Sequence, residues 1–181
     1  YNLKVIEDAA QAQGAEWNGK SIGTFGDAGT FSFQLSKNMT AGEGGAIVTN
    51  DDTIAEKAWS FHNCGRKPNY PWYYHFEIGG NFRLSEFQAA VLLAQLEREE
   101  SNLAKRRENA QYLDKLLLEI DGIDPMIYSN KVKSSYYLYI AKYQKEAFNN
   151  LSKNKFVEAL NAEGITTLQG YPFPLYRQPI F

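Results

Sequence analysis

The sequence predicts an α/β fold. Two observations carry this prediction: short apolar strands alternate with stretches of helical periodicity, and the first strand ends in acidic residues. The carboxyl ends of strands in open α/β sheets are where ligands bind. We therefore expect a ligand site at this edge of the sheet.

Three strands and a helix are predicted in the first third of the chain. Residues 3–6 form an apolar run, residues 29–34 alternate as a strand does, and residues 46–50 form a third strand after a glycine-rich turn. Acidic residues that can cap a helix precede the helical stretch, which runs to about residue 62. Strands and a helix in this order favour an α/β domain.

The remaining elements follow a long loop. Residues 63–79 are rich in Gly, Pro, Asn and aromatic residues, and loops of this length are usually functional or mobile. A capping-box pattern at Ser85 opens a helix, and a second helical stretch follows it. An aromatic-rich strand is predicted at 136–141 and a helix at 152–162, so the tail predicts a smaller α+β domain.

Composition excludes several classes of protein. With 44% hydrophobic residues, a net charge of -2 and no long apolar run, the chain predicts a soluble protein that neither spans a membrane nor binds nucleic acid. Its single cysteine, Cys64, and two histidines, His62 and His75, argue against disulfides or a metal site and favour the cytoplasm. The chain starts inside a predicted strand, which indicates a piece of a longer protein.

Lys37 is the first candidate for chemistry. Most lysines are solvated surface charges, and that reading stays open for Lys37 on residue type alone. It follows the strand 29–34, next to hydroxyl side chains and just before a glycine-rich turn. A partly buried lysine in such a setting can form a Schiff base with a carbonyl.

Asp8 and Gln11 form the second candidate group. Asp8 can cap the short segment that follows it, or it can be a carboxylate that pairs with a pyridinium nitrogen and keeps it protonated. Gln11 lies one helical turn from Asp8, so both side chains can point into one pocket, although a solvent-facing Gln is the commoner case.

Two further motifs have a structural alternative. The run from Gly42 to Gly45 lacks the Gly-Lys-Ser/Thr ending of a phosphate loop and precedes a strand, so it predicts a tight turn. Asn81 and Arg83 either lead into the next helix or hold an anion such as phosphate at its N-terminus.

Four blocks in order resemble the DegT/StrS family of sugar aminotransferases. They are Glu-Asp-Ala-Ala-Gln-Ala from residue 7, Phe-Ser-Phe-x-x-x-Lys-Asn from residue 31, Gly-Glu-Gly-Gly-Ala-x-Val-Thr-Asn from residue 42, and Gly-x-Asn-x-Arg-x-Ser-Glu-x-Gln-Ala-Ala from residue 79. The likeness covers nearly the whole chain, whereas family members are considerably longer. Phe33 and Gln34, together with residues 39–45 and 170–175, look most similar to the branch that acts on keto-cyclitols and antibiotic precursors.

The resemblance implies a type I pyridoxal 5'-phosphate (PLP) fold. Residues 1–104 would be part of a large, mostly parallel sheet domain, and residues 105–181 a small C-terminal α+β domain that is incomplete at its end. It also implies a homodimer with active sites at the subunit interface. The missing N-terminal part would carry further cofactor contacts.

The resemblance also implies roles for individual residues. Lys37 would form the internal aldimine, Asp8 would pair with the pyridine nitrogen, and Gln11 would contact the cofactor ring. Ser32 would hold the phosphate. Asn81 would reach the phosphate of the neighbouring subunit's cofactor, and Arg83 would face substrate or the interface.

These roles predict transamination from glutamate or glutamine to a keto-sugar or keto-cyclitol. One alternative is a dehydratase of the same fold, whose members carry His where this chain has Lys37. The other alternative is a non-catalytic or regulatory relative, suggested by the truncated start.

Overall fold

The computed structural model describes all residues from Tyr1 to Phe181. They form two compact units, the first made of Tyr1–Gln111 and Ile127–Tyr139, the second of Tyr112–Met126 and Ile140–Phe181. A single helix continues through residue 104, so the units do not divide where the sequence predicted a domain boundary. The division into domains stays a prediction for the whole protein.

The strands and helices do not alternate strictly as the sequence predicted: five strands precede the first two α-helices, and three more strands precede the last α-helix. The strands are β1 Ile6–Asp8, β2 Glu16–Trp17, β3 Lys20–Ser21, β4 Ala28–Ser32, β5 Gly45–Val48, β6 Ile123–Pro125, β7 Val132–Lys133 and β8 Ala141–Tyr143. The α-helices are α1 Asp52–His62, α2 Glu86–Leu117 and α3 Lys153–Ala162.

The sheet that positions the candidate site has the order β1, β4, β5. Strand β1 runs parallel to β4 with Asp8 opposite Thr30, and β4 runs antiparallel to β5. The first unit also contains a small sheet in which β2 pairs with both β3 and β7, and the second unit contains the antiparallel pair β6 and β8. The carboxyl ends of β1 and β4 therefore lie side by side.

Local capping signals set the starts of all three helices. The Asp51 carboxylate accepts hydrogen bonds from the amides of Thr53 and Ile54 at the start of α1. Ser85 and Gln88 form the predicted capping box before α2. The Ser152 hydroxyl accepts a hydrogen bond from the amide of Lys155 at the start of α3. These caps supply acceptors for amides that have no partner inside the helix.

The helical stretch after residue 85 is one helix of 32 residues. The sequence had predicted two stretches, because charged residues interrupt its apolar pattern. The side chains of Gln88 and Gln95 donate hydrogen bonds to backbone carbonyls of the loop at 40–43, and Arg107 donates one to the carbonyl of Gly14. Polar contacts therefore attach this helix to the first unit. None of the helices is both long and apolar enough to cross a membrane.

The predicted strand at 136–141 is wrong. Only Ala141 of that range is in a strand, and Tyr136 has a left-handed backbone with a φ of 44°. The carbonyls of Ser134 and Ser135 accept hydrogen bonds from the side chains of Arg107 and Asn38. These two carbonyls are hydrogen-bonded to side chains and not to the backbone of a neighbouring strand. The aromatic residues that follow them are therefore not sufficient to form a strand.

The first unit contains the buried residues Ala9, Ala28, Phe33, Leu92, Leu103 and Ala110. In the second unit Pro125, at the end of β6, is buried. Ala9 and Phe33 directly follow the ends of β1 and β4, so the core lies directly beneath the edge where these strands end. Many other large apolar side chains are exposed, including Ile6 on β1 at 71%.

Candidate active site

Asp8 lies at the edge where the sequence predicted a ligand site. The amide of Ala9 donates to the carbonyl of Thr30 over 2.9 Å, which continues the pairing of β1 and β4 past the end of β1. The Asp8 Oδ1 accepts a hydrogen bond from the amide of Ala10 over 3.1 Å. The capping alternative for Asp8 is thus observed, and its exposed carboxylate stands at the strand edge.

Gln11 is in a turn, so the expected helical spacing from Asp8 is wrong. The amide of Ala12 donates to the carbonyl of Ala9 over 3.0 Å, which closes a tight turn, and no helix follows. The carbonyl of Gln11 accepts a long hydrogen bond of 3.5 Å from the Ser135 hydroxyl. The turn still keeps Gln11 close in the chain to the end of β1.

Lys37 lies in a turn shortly after β4. Its amide donates to the carbonyl of Gln34 over 2.9 Å, and the residue is half-buried. Its Nζ lies 4.4 Å from the centroid of the Tyr137 ring. The Tyr137 hydroxyl is 2.8 Å from the Ser36 Oγ, so one tyrosine contacts two consecutive residues of the turn.

A bridging segment, residues 134–137, joins the turn of Gln11 to the loop of Lys37. The Asn38 side chain donates to the carbonyl of Ser135 over 2.9 Å, while the buried Ser135 hydroxyl reaches Gln11. Sequence reasoning missed this segment. The aromatic residues at its end predict a strand, and the contacts of this segment with two distant loops have no local signal in the sequence.

Ser32 and Gln13 fix the end of β4. The Ser32 hydroxyl accepts from the amide of Gln34 over 3.3 Å, so its candidate role as a phosphate ligand competes with a local turn contact. The Ser32 carbonyl accepts from the Gln13 Nε2 over 2.5 Å. Gln13 is only 3% exposed, and its Oε1 has no hydrogen-bond partner. Gln13 was missed because nothing local in the sequence separates it from Gln11.

The loop after Lys37 is attached to α2. Gln95 exchanges hydrogen bonds with the backbone of Thr40, and Gln88 donates to the carbonyl of Glu43 over 2.8 Å. Gly44 has a φ of 141°, and a Cβ there would lie 2.8 Å from the Leu84 Cδ1. The glycine run therefore forms the tight turn that the sequence predicted, with close approach at Gly44.

Glu7 supports the same edge from within β1. Its carboxylate accepts hydrogen bonds from the amides of Gly23, Phe25 and Gly26 at 2.7, 2.5 and 2.7 Å. Burial acts to raise the pKa of Glu7, but the three backbone donors and the nearby Lys20 outweigh it and hold the pKa below its ordinary value. A charged Glu7 thus ties the 23–26 loop to β1.

Asn81 and Arg83 make their contacts with the segment that follows α1. Asn81 forms an isolated β-bridge with Asn63, and the Arg83 Nη1 donates to the Asn63 Oδ1 over 2.9 Å. Both residues are exposed. Within this chain neither contacts Lys37, so the structure gathers Asp8, Gln11, Ser32 and Lys37 in one region and gives Asn81 and Arg83 different neighbours.

The sequence matches a family model over residues 1–181, that of the DegT/DnrJ/EryC1/StrS aminotransferase family. It is 42% identical over 173 residues to the L-glutamine:2-deoxy-scyllo-inosose aminotransferase of Streptoalloteichus tenebrarius, with 90% of this chain and 41% of the relative covered. It is 37% identical to the 3-amino-5-hydroxybenzoate synthase of Amycolatopsis mediterranei, over 99% of this chain and 46% of the relative. The chain thus spans less than half of each relative.

Solved structures give the same result. A DegT DnrJ EryC1 StrS aminotransferase from Brucella abortus has a TM-score of 0.88 and 30% identity, over 98% of this chain and 45% of that chain. The Helicobacter pylori aminotransferase PseC, involved in the biosynthesis of pseudoaminic acid, has a TM-score of 0.87 and 33% identity, over 98% of this chain and 47% of that chain. The predicted fold class is confirmed.

Proposed function

The chain belongs to the DegT/DnrJ/EryC1/StrS aminotransferase family, and on this basis we propose that it carries catalytic residues of an aminotransferase that moves an amino group to a keto-cyclitol or keto-sugar. Enzymes of this family depend on pyridoxal phosphate. The observation that carries the proposal is the position of Lys37, a half-buried residue in the turn that follows β4, whose carboxyl end lies beside that of β1.

The donor groups at this edge suit pyridoxal phosphate. An amine is needed for its aldehyde, a carboxylate for its pyridinium nitrogen and hydroxyl or amide donors for its phosphate and ring oxygen; the region offers Lys37, Asp8, Ser32 and Gln11 in these roles. When bound, this cofactor withdraws electrons from the carbon that carries the amino group. The Gln13 Oε1, buried without a partner, marks a polar position beneath the same edge.

Each residue has a defined task in this proposal. Lys37 would hold the cofactor through its amine and would move a proton to and from the donor's Cα as general base and acid. The Asp8 carboxylate, already oriented by the amide of Ala10, would keep the pyridine nitrogen protonated. Ser32 and Gln11 hold the cofactor in place.

Asn81 and Arg83 belong to a different part of the proposal. We place Asn81 in the active site of a partner subunit, at the cofactor phosphate, and Arg83 at the substrate or the subunit interface. The exposure of both residues and their position just before the capped start of α2 support this assignment. The complete enzyme would then be a homodimer with two shared sites.

The relatives' names indicate a substrate class. Among those at 37% to 42% identity are a glutamine-dependent aminotransferase of 2-deoxy-scyllo-inosose and a 3-amino-5-hydroxybenzoate synthase. We propose a cyclic ketone with several hydroxyl groups as acceptor, and glutamine or glutamate as donor. Antibiotic or polysaccharide biosynthesis in the cytoplasm would be the setting.

A regulatory role is the second candidate. The chain is 38% identical over 182 residues to a pleiotropic regulatory protein of Geobacillus stearothermophilus, over 100% of this chain and 47% of the relative. Lys37 favours the catalytic role over this one, because a protein that only regulates has no need of a cofactor-binding amine. It also favours an aminotransferase over a same-fold dehydratase, because such dehydratases carry His in place of this lysine.

Borohydride reduction tests the proposal. The full-length protein is loaded with pyridoxal phosphate, reduced and digested, and the modified peptide is sequenced by mass spectrometry. We expect the pyridoxyl group on Lys37, with Lys37→Ala as the control that stays unlabelled. A label on any other lysine, or none, would exclude the assignment.

A further inference from the structure

Tyr137 lies against the amine of Lys37, although the two residues are far apart in the sequence. The Lys37 Nζ is 4.4 Å from the centroid of the Tyr137 ring, and both residues are half-buried. The face of an aromatic ring carries partial negative charge and attracts an ammonium group at this distance. A charged amine therefore gains from this contact.

The orientation of the ring is fixed by a second contact. The Tyr137 hydroxyl is 2.8 Å from the Ser36 Oγ, and the Ser36 Oγ in turn donates to the Gln34 Oε1 over 2.7 Å. On the other side of Lys37, Asn38 donates to the carbonyl of Ser135. The bridging segment is therefore attached to the residues on both sides of Lys37, which holds the ring at the lysine side chain.

We propose that the face of Tyr137 is the rest position of the Lys37 amine whenever that amine is not joined to the cofactor, an inference that rests on the proposed function. An amine that is not joined to the cofactor would have to stay within reach of the donor's Cα to take a proton as general base and return it as general acid. The ring would stabilise the amine while it is charged, after it has taken that proton and before it passes it on, and would limit its motion. Tyr137 is thereby a further residue of the active site, and its ring is the part that acts.

The first unit contains a matched pair for comparison. The Lys20 Nζ lies 4.5 Å from the centroid of the Phe25 ring, which is nearly the same distance. No proposed step uses Lys20. Its chemical reactivity therefore reports whether a substitution at Tyr137 disturbs the unit as a whole.

Competitive acetylation of the cofactor-free, full-length protein tests the contact. Trace acetic anhydride reacts only with uncharged amines, and peptide mass spectrometry gives the rate at each lysine. We expect Tyr137→Leu to raise the rate at Lys37 roughly two- to fivefold. Tyr137→Phe, which keeps the ring but loses the contact with Ser36, should raise it less than Tyr137→Leu does. Tyr128→Leu, which removes a nearby tyrosine that contacts Tyr136, should leave it unchanged. The rate at Lys20 should be the same in all four proteins.

Equal rates at Lys37 in the wild type and in Tyr137→Leu would overturn the proposal, and so would an equal rise in Tyr137→Phe. Steady-state kinetics provide the second measurement. We expect Tyr137→Leu to lower kcat roughly two- to fivefold and to leave the melting temperature unchanged. If kcat of this variant equals that of the wild type, the rest position has no part in the mechanism. If the wild type itself fails to transaminate, the proposed function fails, while the acetylation rates still report on the contact.

Discussion

At the scale of single residues, Asp8 shows how one carboxylate can serve both structure and chemistry. Its Oδ1 caps the turn through the amide of Ala10. An asparagine retains an oxygen that can accept this hydrogen bond, so Asp8→Asn removes the charge and keeps the cap. The substitution therefore separates the two roles.

We predict that Asp8→Asn lowers kcat about 10- to 100-fold, because a charge-assisted hydrogen bond to the pyridinium is lost. Urea denaturation should show a free energy of unfolding close to that of the wild type. Asp52→Asn, at an exposed position in the first turn of α1, is the control and should keep full turnover. Wild-type kcat in Asp8→Asn would remove the residue from the proposed mechanism.

Glu7 makes the folding of this edge dependent on pH. Its pKa in the folded chain is lowered from an ordinary value of 4.5, so its contribution to stability is present above that value and is lost as the pH falls through the lowered pKa. The three backbone amides that donate hydrogen bonds to Glu7 would then face a neutral carboxyl group, which is a weaker acceptor.

We predict that Glu7→Gln is less stable than the wild type at pH 7 and that the difference shrinks between about pH 5 and pH 3. Urea denaturation at several pH values measures this difference. Glu56→Gln, an exposed change on α1, should follow the wild type throughout. A difference that stays constant with pH would contradict the assigned cause.

At the scale of elements, the loop at 63–79 is more ordered than its composition suggested. It contains no helix or strand, but Gly65 acts as its anchor: its amide donates to the carbonyl of Ser60, and its carbonyl accepts from the amide of Phe76 over 2.7 Å. A Cβ at Gly65 would lie 1.8 Å from the carbonyl oxygen of Glu77. The two ends of the loop meet where only glycine fits.

A matched pair of glycines isolates this close approach. Gly65 and Gly19 share a φ of 74°, but nothing lies within 4 Å of a Cβ built on Gly19. We predict that Gly19→Ala costs about 1–2 kcal/mol for the left-handed backbone, and that Gly65→Ala costs a further 1–3 kcal/mol or so for the collision. Denaturation curves measure both, and equal costs would mean that the loop relaxes around the new methyl group.

At the scale of the whole molecule, the proposed sharing of sites is a statement about two chains. A Lys37→Ala subunit lacks the amine in its own site, whereas an Asn81→Asp subunit would damage the site of its partner. In a mixed dimer one site would contain both defects, and the other would be intact.

We predict that mixing the two inactive variants restores activity to about a quarter of the wild-type level, since half of randomly formed dimers are mixed and each has one intact site. Mixing Lys37→Ala with Asp8→Asn is the control, because both changes lie in a chain's own site and no intact site results. Subunit exchange is followed by native mass spectrometry. Exchange without recovery would place Asn81 outside the partner's site.

The parts of the fold that the sequence predicted depend on local signals. Asp51, Ser85 and Ser152 each satisfy an amide within three residues, so the starts of the helices could be inferred from short patterns. The position of Lys37 after a strand and before a glycine turn is also a local pattern. This is why the candidate residues at the ends of β1 and β4 could be named before their neighbours were known.

What the tertiary structure alone decided is the set of contacts made between distant segments. The irregular course of residues 134–137 depends on side-chain donors from Asn38 and Arg107, which no local pattern announces. The burial of Gln13 under Ser32 and the contact of Tyr137 with Lys37 likewise join residues far apart in the chain. Sequence periodicity reports which face of an element is apolar, but it does not report which element will pack against it.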